Sequence, residues 1–335
     1  MKKLAFGIDI GGINTAFGLV DEQGSIFGES VVSNKAYPHF NDYPAYIAEL
    51  GSAMKSLCEG VGIEFELTGI GIGAPNANYY EGTIESPANL WKFPAGDPRC
   101  NTAAENERIF RIADDLGKHF PGVPVMVTND ANAATIGEMV YGNAKGMKDF
   151  IMITLGTGVG SGFVANGQLI YGHDGFAGEF GHVVIERDGR ECGCGRKGCL
   201  ETYASAIGIK RTAFELMAKM SCPSTLRDIS YNDMDSAMLA QAAAKGDPIA
   251  LEAFRLTGER LGRAFADAVT ITSPEAIFLF GGLAKSGELL AAPIRKYMEE
   301  NMMFAFKNKV KVLPSGLQNK NAAILGSAAL VWQQA

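Results

Sequence analysis

The chain opens without an apolar run long enough to cross a bilayer. Its start, MKKLAFGIDIGGINT, carries two lysines but no extended hydrophobic stretch and no small-residue cleavage pattern, and it runs straight into a patterned strand. Neither a signal peptide nor a membrane span is expected. An excess of positive charge is missing too. With 30 Lys and Arg against 37 Asp and Glu, the net charge is −7, which argues against wide nonspecific contact with nucleic acid or acidic membranes. Local capture of a phosphorylated nucleotide remains open, because backbone amides can do that. The glycine-rich run Gly156–Gly162 contains no Gly-Lys-Ser/Thr, so it is no Walker loop. The six cysteines come without secretory context, which points to a reducing cytoplasm, with Cys58, Cys100 and Cys222 as packing residues.

What is present fits a soluble globular protein: 47% hydrophobic and 20% charged residues. At 335 residues the chain exceeds one ordinary core, so two domains are expected. Ala5–Ile10, Thr15–Val20 and Ser25–Val32 read as three strands joined by tight turns. Phe150–Leu155, Val159–Val164 and Gln168–Tyr171 repeat that order. The two stretches, FGIDIGGINTAFGLVDEQGSI and MITLGTGVGSGFVANGQLI, align loosely, which suggests a duplicated domain; two unrelated hairpins are the alternative.

Elsewhere, apolar spacing predicts helices over Tyr43–Cys58, Thr102–Lys118, Ala131–Tyr141, Ala204–Met220, Pro293–Met302 and Asn319–Trp332. A long helix opens at Asp247-Pro248, with an acid at the cap and Pro in the first turn. Gly258 and Gly262 on it leave room for a close neighbour. Thr68–Gly73, Pro124–Thr128, Ala276–Phe280 and Lys309–Leu313 read as strands. Tyr79–Asn101, rich in Pro, Asn and Gly, reads as a long functional loop, and Cys222–Asp233 as a polar connection. The alternation of strands and helices makes an α/β protein.

The segment Gly178–Glu201, GEFGHVVIERDGRECGCGRKGCLE, gathers the most chemistry. His182, Cys192, Cys194 and Cys199 offer one imidazole and three thiols, a set that suits tetrahedral Zn²⁺. Free buried cysteines or a disulfide are the alternatives. Glu179 and Glu201 flank the ligands, and paired carboxylates held rigidly are good acceptors for sugar hydroxyls. Asp9 precedes Gly11-Gly12 at a strand end, where backbone amides can approach phosphate oxygens and the carboxylate can hold Mg²⁺ through water. Gly156-Thr157-Gly158 forms a second such turn, and Gly281-Gly282 could meet an adenine or ribose. Each is equally an ordinary turn when taken alone. Asn129-Asp130 stands where a strand gives way to a helix. Asp130 suits a general base in phosphoryl transfer, or else a plain helix cap.

Taken together, Asp9-Ile10-Gly11-Gly12, Gly71–Pro75, Asn129–Asn132, Leu155–Gly162, Gly178–His182, Cys192–Glu201 and Gly281-Gly282 give a chain that resembles ROK-family sugar kinases over essentially its whole length. The resemblance implies the actin-like ATPase (ribonuclease H-like) fold, with two α/β domains around a cleft. Pro and Gly interruptions near Phe120–Pro124 and Pro314–Asn319 mark the expected crossings. They divide the chain into a small N-terminal domain, 1–122 plus 318–335, closed by the C-terminal helix, and a large domain, 123–317, with the zinc loop. The resemblance further implies ATP with Mg²⁺, and a structural Zn²⁺ on His182, Cys192, Cys194 and Cys199. Asp130 would be the base. Nucleotide contacts would fall on Asp9, Gly11, Gly12, Gly156, Thr157, Gly158, Gly281 and Gly282. Sugar contacts would fall on Asn89, Asn129, Asp130, Glu179, His182 and Glu201. A cytoplasmic homodimer is expected.

Two positions depart from the family pattern: Ile13, where Thr is usual, and Asn76, where Gly often follows Pro. The expected activity is phosphorylation of the 6-hydroxyl of glucose, because the run Gly198–Ser205 looks more like the glucokinase branch. An N-acetylglucosamine or N-acetylmannosamine kinase is the alternative. A sugar-responsive repressor would need a DNA-binding segment before the first strand, which starts by Leu4. A sugar-binding protein without catalysis is disfavoured by Asp130 and the two glycine turns. The zinc is expected to support the sugar side rather than the ATP turns, which lie far from it in sequence.

Overall fold

Two five-stranded sheets share one strand order. The structure, a computed structural model, describes residues 1–333 apart from 101, 103, 105, 106, 319 and 320. In the first sheet β1 (Lys2–Ile10), β2 (Asn14–Val20) and β3 (Ile26–Ser33) run antiparallel, and β4 (Phe65–Gly73) and β8 (Val125–Thr128) add in parallel on the other side of β1. Between them in sequence lie the short strands β5 (Ala77–Asn78), β6 (Thr83–Glu85) and β7 (Ile109–Phe110), which form a small sheet of their own. The second large sheet repeats the plan. There β9 (Phe150–Leu155), β10 (Val159–Ala165) and β11 (Gln168–Leu169) are antiparallel, and β12 (Ala276–Phe280) and β13 (Lys311–Pro314) follow in parallel. The shared order supports duplication of one unit, since two unrelated hairpins would not also agree in their parallel additions.

The helices are α1 (Tyr43–Gly60), α2 (Ile112–Gly117), α3 (Asp130–Tyr141), α4 (Glu201–Ala204), α5 (Ala206–Lys219), α6 (Ser236–Ala244), α7 (Pro248–Thr272), α8 (Glu288–Asn301) and α9 (Ala322–Gln333). None among the described residues is long and apolar enough to cross a membrane. The chain forms two compact units, Met1–Gly146 with Tyr171–Ala177 and the C-terminal segment, and Met147–Ile170 with Gly178–Gln318. In the first, Phe6, Ile8 and Phe17 of the sheet pack with Tyr46, Leu50 and Trp91. In the second, Ile151, Ile153 and Ile277 pack with Phe254, Leu261 and Phe265 of α7.

The first unit extends past the expected boundary at 122, for two reasons. The strand β8 completes the first sheet through β4, with Gly73 opposite Thr128, and α3 lies against α9. Strand β1 has no side chain at Gly7 and strand β4 none at Gly71; a Cβ at either would stand 1.9 Å from a carbonyl oxygen of α9, so glycine lets the closing helix lie directly on the sheet. The segment 171–177 also belongs to the first unit. Tyr171 stacks on Tyr79 with ring centroids 3.9 Å apart, and the Asn78 amide donates to the Asp174 carbonyl at 3.1 Å.

Several helices differ from their sequence expectation. Within Thr102–Lys118 the α-helix α2 begins at Ile112, because Phe110 is drawn in extended form into an aromatic cluster with Phe40, Tyr43 and Trp91; positions 103, 105 and 106 of that stretch lie outside the described residues. Ala204–Met220 is broken at Ser205, whose hydroxyl accepts from the Gly208 amide at 3.0 Å and starts α5 afresh. Helix α6 was not expected. Helix α8 starts at Glu288, with Pro293 inside it. Gly258 of α7 makes room for that ring, since a Cβ there would stand 2.6 Å from Pro293 Cγ. The closing helix starts at Ala322 rather than 319, and positions 319 and 320 are outside the described residues.

Candidate active site

In the first unit the expected site residues gather at the carboxyl ends of the parallel strands, where open α/β sheets bind ligands. Asp9 of β1 sits opposite Gly73 of β4, which sits opposite Thr128 of β8. Asn129 and Asp130 follow at once and open α3. The Asn129 side chain accepts from the Ala131 amide at 2.8 Å and caps the helix, and Asp130 Oδ1 accepts from the same amide at 2.7 Å. Burial raises the Asp130 carboxyl above the usual carboxylate range, and these amides only partly offset it. The residue still keeps open surface, so protein displaces much of its water without sealing it off. Asp9 is pushed up to about 6, first by burial and then by the Asp130 charge. Two neighbouring carboxylates that resist ionising together make a fitting place for a divalent cation.

The turn Gly11–Ile13 is held by uncharged groups of its own unit. Buried Asn34 donates from Nδ2 to the Gly11 carbonyl at 2.6 Å and from its backbone amide to the Ile13 carbonyl at 2.8 Å. Thr15 donates its hydroxyl to Asn34 Oδ1 at 2.9 Å and shares a hydrogen bond with the Tyr46 hydroxyl at 2.8 Å. The Ile13 side chain is 57% exposed and packs into no core. Asn89 comes beside the turn, because a Cβ on Gly12 would lie 3.2 Å from Asn89 Cβ. Its loop is braced by buried Arg108, which donates to the carbonyls of Pro87, Leu90 and Trp91 at 3.3, 3.1 and 2.9 Å. Asn34, Thr15, Tyr46 and Arg108 were not picked out from sequence. A Thr after a glycine turn is a faint signal, and an Arg that serves backbone carbonyls has none. Asn76 takes the left-handed conformation, with φ of 54°, which Asn tolerates best after glycine. The departure from Pro-Gly therefore keeps the turn.

In the second unit His182, Cys192, Cys194 and Cys199 come together, with their ligand atoms all within 4.8 Å of one another. Cys194 Sγ is 3.7 Å from Cys199 Sγ, and Cys192 Sγ is 3.6 Å from His182 Nδ1. A tetrahedral zinc with Zn–S bonds of about 2.3 Å has ligand atoms about 3.8 Å apart along each edge. The four residues therefore fit the ion, and the thiols stand free of one another. Burial works against ionising Cys194, but the Arg196 amide and guanidinium and the neighbouring thiols outweigh it and push this thiol down to about 6. With Nδ1 turned to the thiols, His182 has its Nε2 3.9 Å from Glu179 Oε2. A carboxylate facing the far nitrogen is the usual way to fix a ligating imidazole.

Glu201 lies next to the cluster, with Oε1 3.9 Å from Cys192 Sγ. Its other oxygen accepts from the Val159 amide at 3.0 Å. The segment with the metal ligands thus reaches the turn Gly156–Gly158 directly, contrary to the expectation that distance in sequence keeps them apart. Gly281 is at the same sheet end: Phe280 pairs with Thr154, and a Cβ on Gly281 would stand 2.6 Å from the Leu155 carbonyl oxygen. Gly156, Thr157, Gly158, Gly281 and Gly282 are thereby neighbours at the ends of β9 and β12.

Known proteins resemble the chain over nearly all of its length. The ROK family pattern matches residues 5–334. A glucokinase of Streptomyces coelicolor is 32% identical over 333 residues, covering 98% of this chain and 97% of its own. The crystal structure of a ROK family glucokinase from Streptomyces griseus, in complex with glucose and AMPPNP, is 31% identical with a TM-score of 0.76, over 98% of this chain and 99% of that one. A xylose repressor of Bacillus spizizenii is 32% identical over 62% of this chain but only 50% of its own. The two duplicated α/β units are those of the actin-like ATPase fold. The chain belongs to the ROK family.

Proposed function

We propose that this chain is an ATP-dependent hexokinase of the glucokinase type, which transfers the γ-phosphoryl group of ATP to the 6-hydroxyl of glucose. One observation carries the reading above the rest. Likeness to a glucokinase runs the full length of both chains, whereas likeness to a sugar repressor stops at half the repressor's length. The geometry of the first unit supports it, with Asp130 at a helix start and Asp9 and a pinned glycine turn at neighbouring strand ends.

In the proposed reaction Asp130 takes the proton of the 6-hydroxyl as the new O–P bond forms. The bond from the γ-phosphorus to the bridging oxygen breaks, and ADP leaves with that oxygen's electrons. A base with a raised pKa is the better proton acceptor near neutral pH. In the first unit Asn129 and Asn89 offer acceptors and donors for sugar hydroxyls; in the second, Glu179, His182 and Glu201 do. Each unit has a glycine turn, Gly11-Gly12 in the first and Gly156–Gly158 in the second, whose backbone amides suit phosphate oxygens, and Gly281-Gly282 of the second suits a nucleoside. Asp9 would hold Mg²⁺, which supplies charge neutralisation on the β- and γ-phosphoryl oxygens. His182, Cys192, Cys194 and Cys199 would hold a structural Zn²⁺, because four protein ligands leave no open position for chemistry. A cytoplasmic setting accords with its thiol ligands.

A coupled assay of ADP release across a sugar panel tests the reading. Zinc-replete protein should turn over with glucose well ahead of N-acetylglucosamine and N-acetylmannosamine. A reversed order would move the chain to the N-acetylhexosamine kinases, and no release with any of them would end the kinase reading.

A further inference from the structure

The Val159 amide is where the cysteine-bearing segment meets the second glycine turn. It donates to Glu201 Oε2 at 3.0 Å. Gly158 is what lets the carboxylate in, since a Cβ there would stand 2.4 Å from that oxygen. The His182 end of the same segment closes on the same residues. A Cβ on Gly181 would lie 2.1 Å from the Val159 carbonyl oxygen, and the Phe180 amide donates to Ser161 Oγ at 3.2 Å. Behind Glu201, the Ala206 amide donates to the Gly156 carbonyl at 2.8 Å. Residues 156–161 are therefore held by both ends of the stretch that the four metal ligands draw together.

We infer that Glu201 is a positioning residue for the phosphate-facing turn: its carboxylate sets the Val159 amide and the backbone of Gly156–Gly158. The zinc loop then governs nucleotide affinity as well as the sugar side. This rests on the reading of that turn as phosphate-facing. The argument is one of distance and charge. Glu201 follows Cys199 by two residues, so fixing the thiols fixes where the carboxylate starts. A charged acceptor on a single amide is among the stronger hydrogen bonds available to a turn whose other ties are neutral backbone bonds, from Gly156 N to Gly158 O at 3.0 Å and from Ala206 N to Gly156 O at 2.8 Å. A group that served only the sugar would have no reason to spend one oxygen on this amide.

The test is MgADP binding by calorimetry without sugar, with zinc content measured in each variant. Glu201→Ala should weaken ADP binding about tenfold to a hundredfold, the range that one charged hydrogen bond supports. Glu201→Gln keeps a carbonyl acceptor for the amide and should recover most of that loss. Both should retain zinc. Unchanged ADP affinity in zinc-loaded Glu201→Ala overturns the inference. Should Glu201→Ala fail to fold, hydrogen exchange on the wild-type protein decides. Chelating the zinc should speed exchange in peptides covering 156–161 and leave those covering 10–15 unchanged, and equal protection with and without zinc overturns the inference. A wild type that binds ADP but phosphorylates no sugar would sink the kinase reading alone.

Discussion

The turn between β1 and β2 and the turn between β9 and β10 hold the same place in two sheets of the same strand order, but different means hold them. The first is pinned by uncharged groups, Asn34, Thr15 and Tyr46, all buried within its own unit. The second takes its support from the Glu201 carboxylate, on the segment that carries the His182, Cys192, Cys194 and Cys199 cluster. The surroundings differ as well. The first sheet has the two carboxylates with raised pKa, Asp9 and Asp130, at its strand ends, and the second has the thiols. The two turns share their place in the strand order but not their support. The copy nearest the proposed chemistry is rigid through neutral hydrogen bonds, so no fixed charge of its own bracing competes with the carboxylates.

The sharpest way to break that contrast is Asp130→Asn. If the first sheet carries the chemistry, this change should lower kcat by ~10²–10⁴ while sugar binding persists, because the amide still hydrogen-bonds a hydroxyl but accepts no proton. Pre-steady-state or steady-state rates with glucose check it, and a near-normal kcat would reduce Asp130 to a first-turn acid of α3 without a catalytic part. Asn34→Ala comes next. It removes the donor to the half-buried Gly11 carbonyl and leaves the buried Thr15 hydroxyl with Tyr46 as its partner, a loss of about 1–3 kcal/mol in stability, read by chemical denaturation. KM for ATP should rise while zinc content stays constant. Zinc loss in this variant would show that the two supports are not independent.

A smaller effect lies in the pH dependence of stability. Asp9 titrates at about 6 in the fold against an ordinary 3.8. A group that holds its proton more tightly folded than unfolded stabilises the fold fully below the unfolded value, and this contribution is lost as pH rises through the folded one. Thermal melts of the ligand-free protein should thus show a contribution that fades between about pH 4 and pH 6, and Asp9→Asn should flatten it. An unchanged profile in that variant would mean that burial and the Asp130 charge do not raise Asp9 as the structure implies. The smallest effect is expected for Ile13→Thr. The exposed side chain touches no core, so KM for ATP should hold steady or fall modestly. A sharp rise would reveal a packing role for Ile13 on the first turn.

Much of the fold was legible in the residues. The strand–turn–strand pattern showed twice, and the long helix at Asp247 was marked by its cap, whose carboxylate accepts from the amides of Ile249 and Ala250. The clustering of His182, Cys192, Cys194 and Cys199 was legible because they lie within one short segment. The place of Asp130 was legible because a strand end and a helix start are both local signals. Misreadings came where tertiary burial overrode local preference, as at Phe110, or where a cap inside an apolar run restarted a helix, as at Ser205.

By itself, then, the sequence determined what depends on near neighbours: the periodicity of the strands, the caps, the duplicated order and the donor set for a metal. Only the tertiary structure decided which distant groups hold those pieces. Glu201 and Val159 are 42 residues apart, and Arg108 is 17 to 21 from the carbonyls it braces. The extension of the first unit to Gly146 rests on pairing between β4 and β8 and on α9 lying over Gly7 and Gly71. In one dimension a Glu or an Arg reads as a solvated surface charge. Its role is set when the path of the chain brings it to a backbone group that has no nearer partner, and that path is a property of the packed whole.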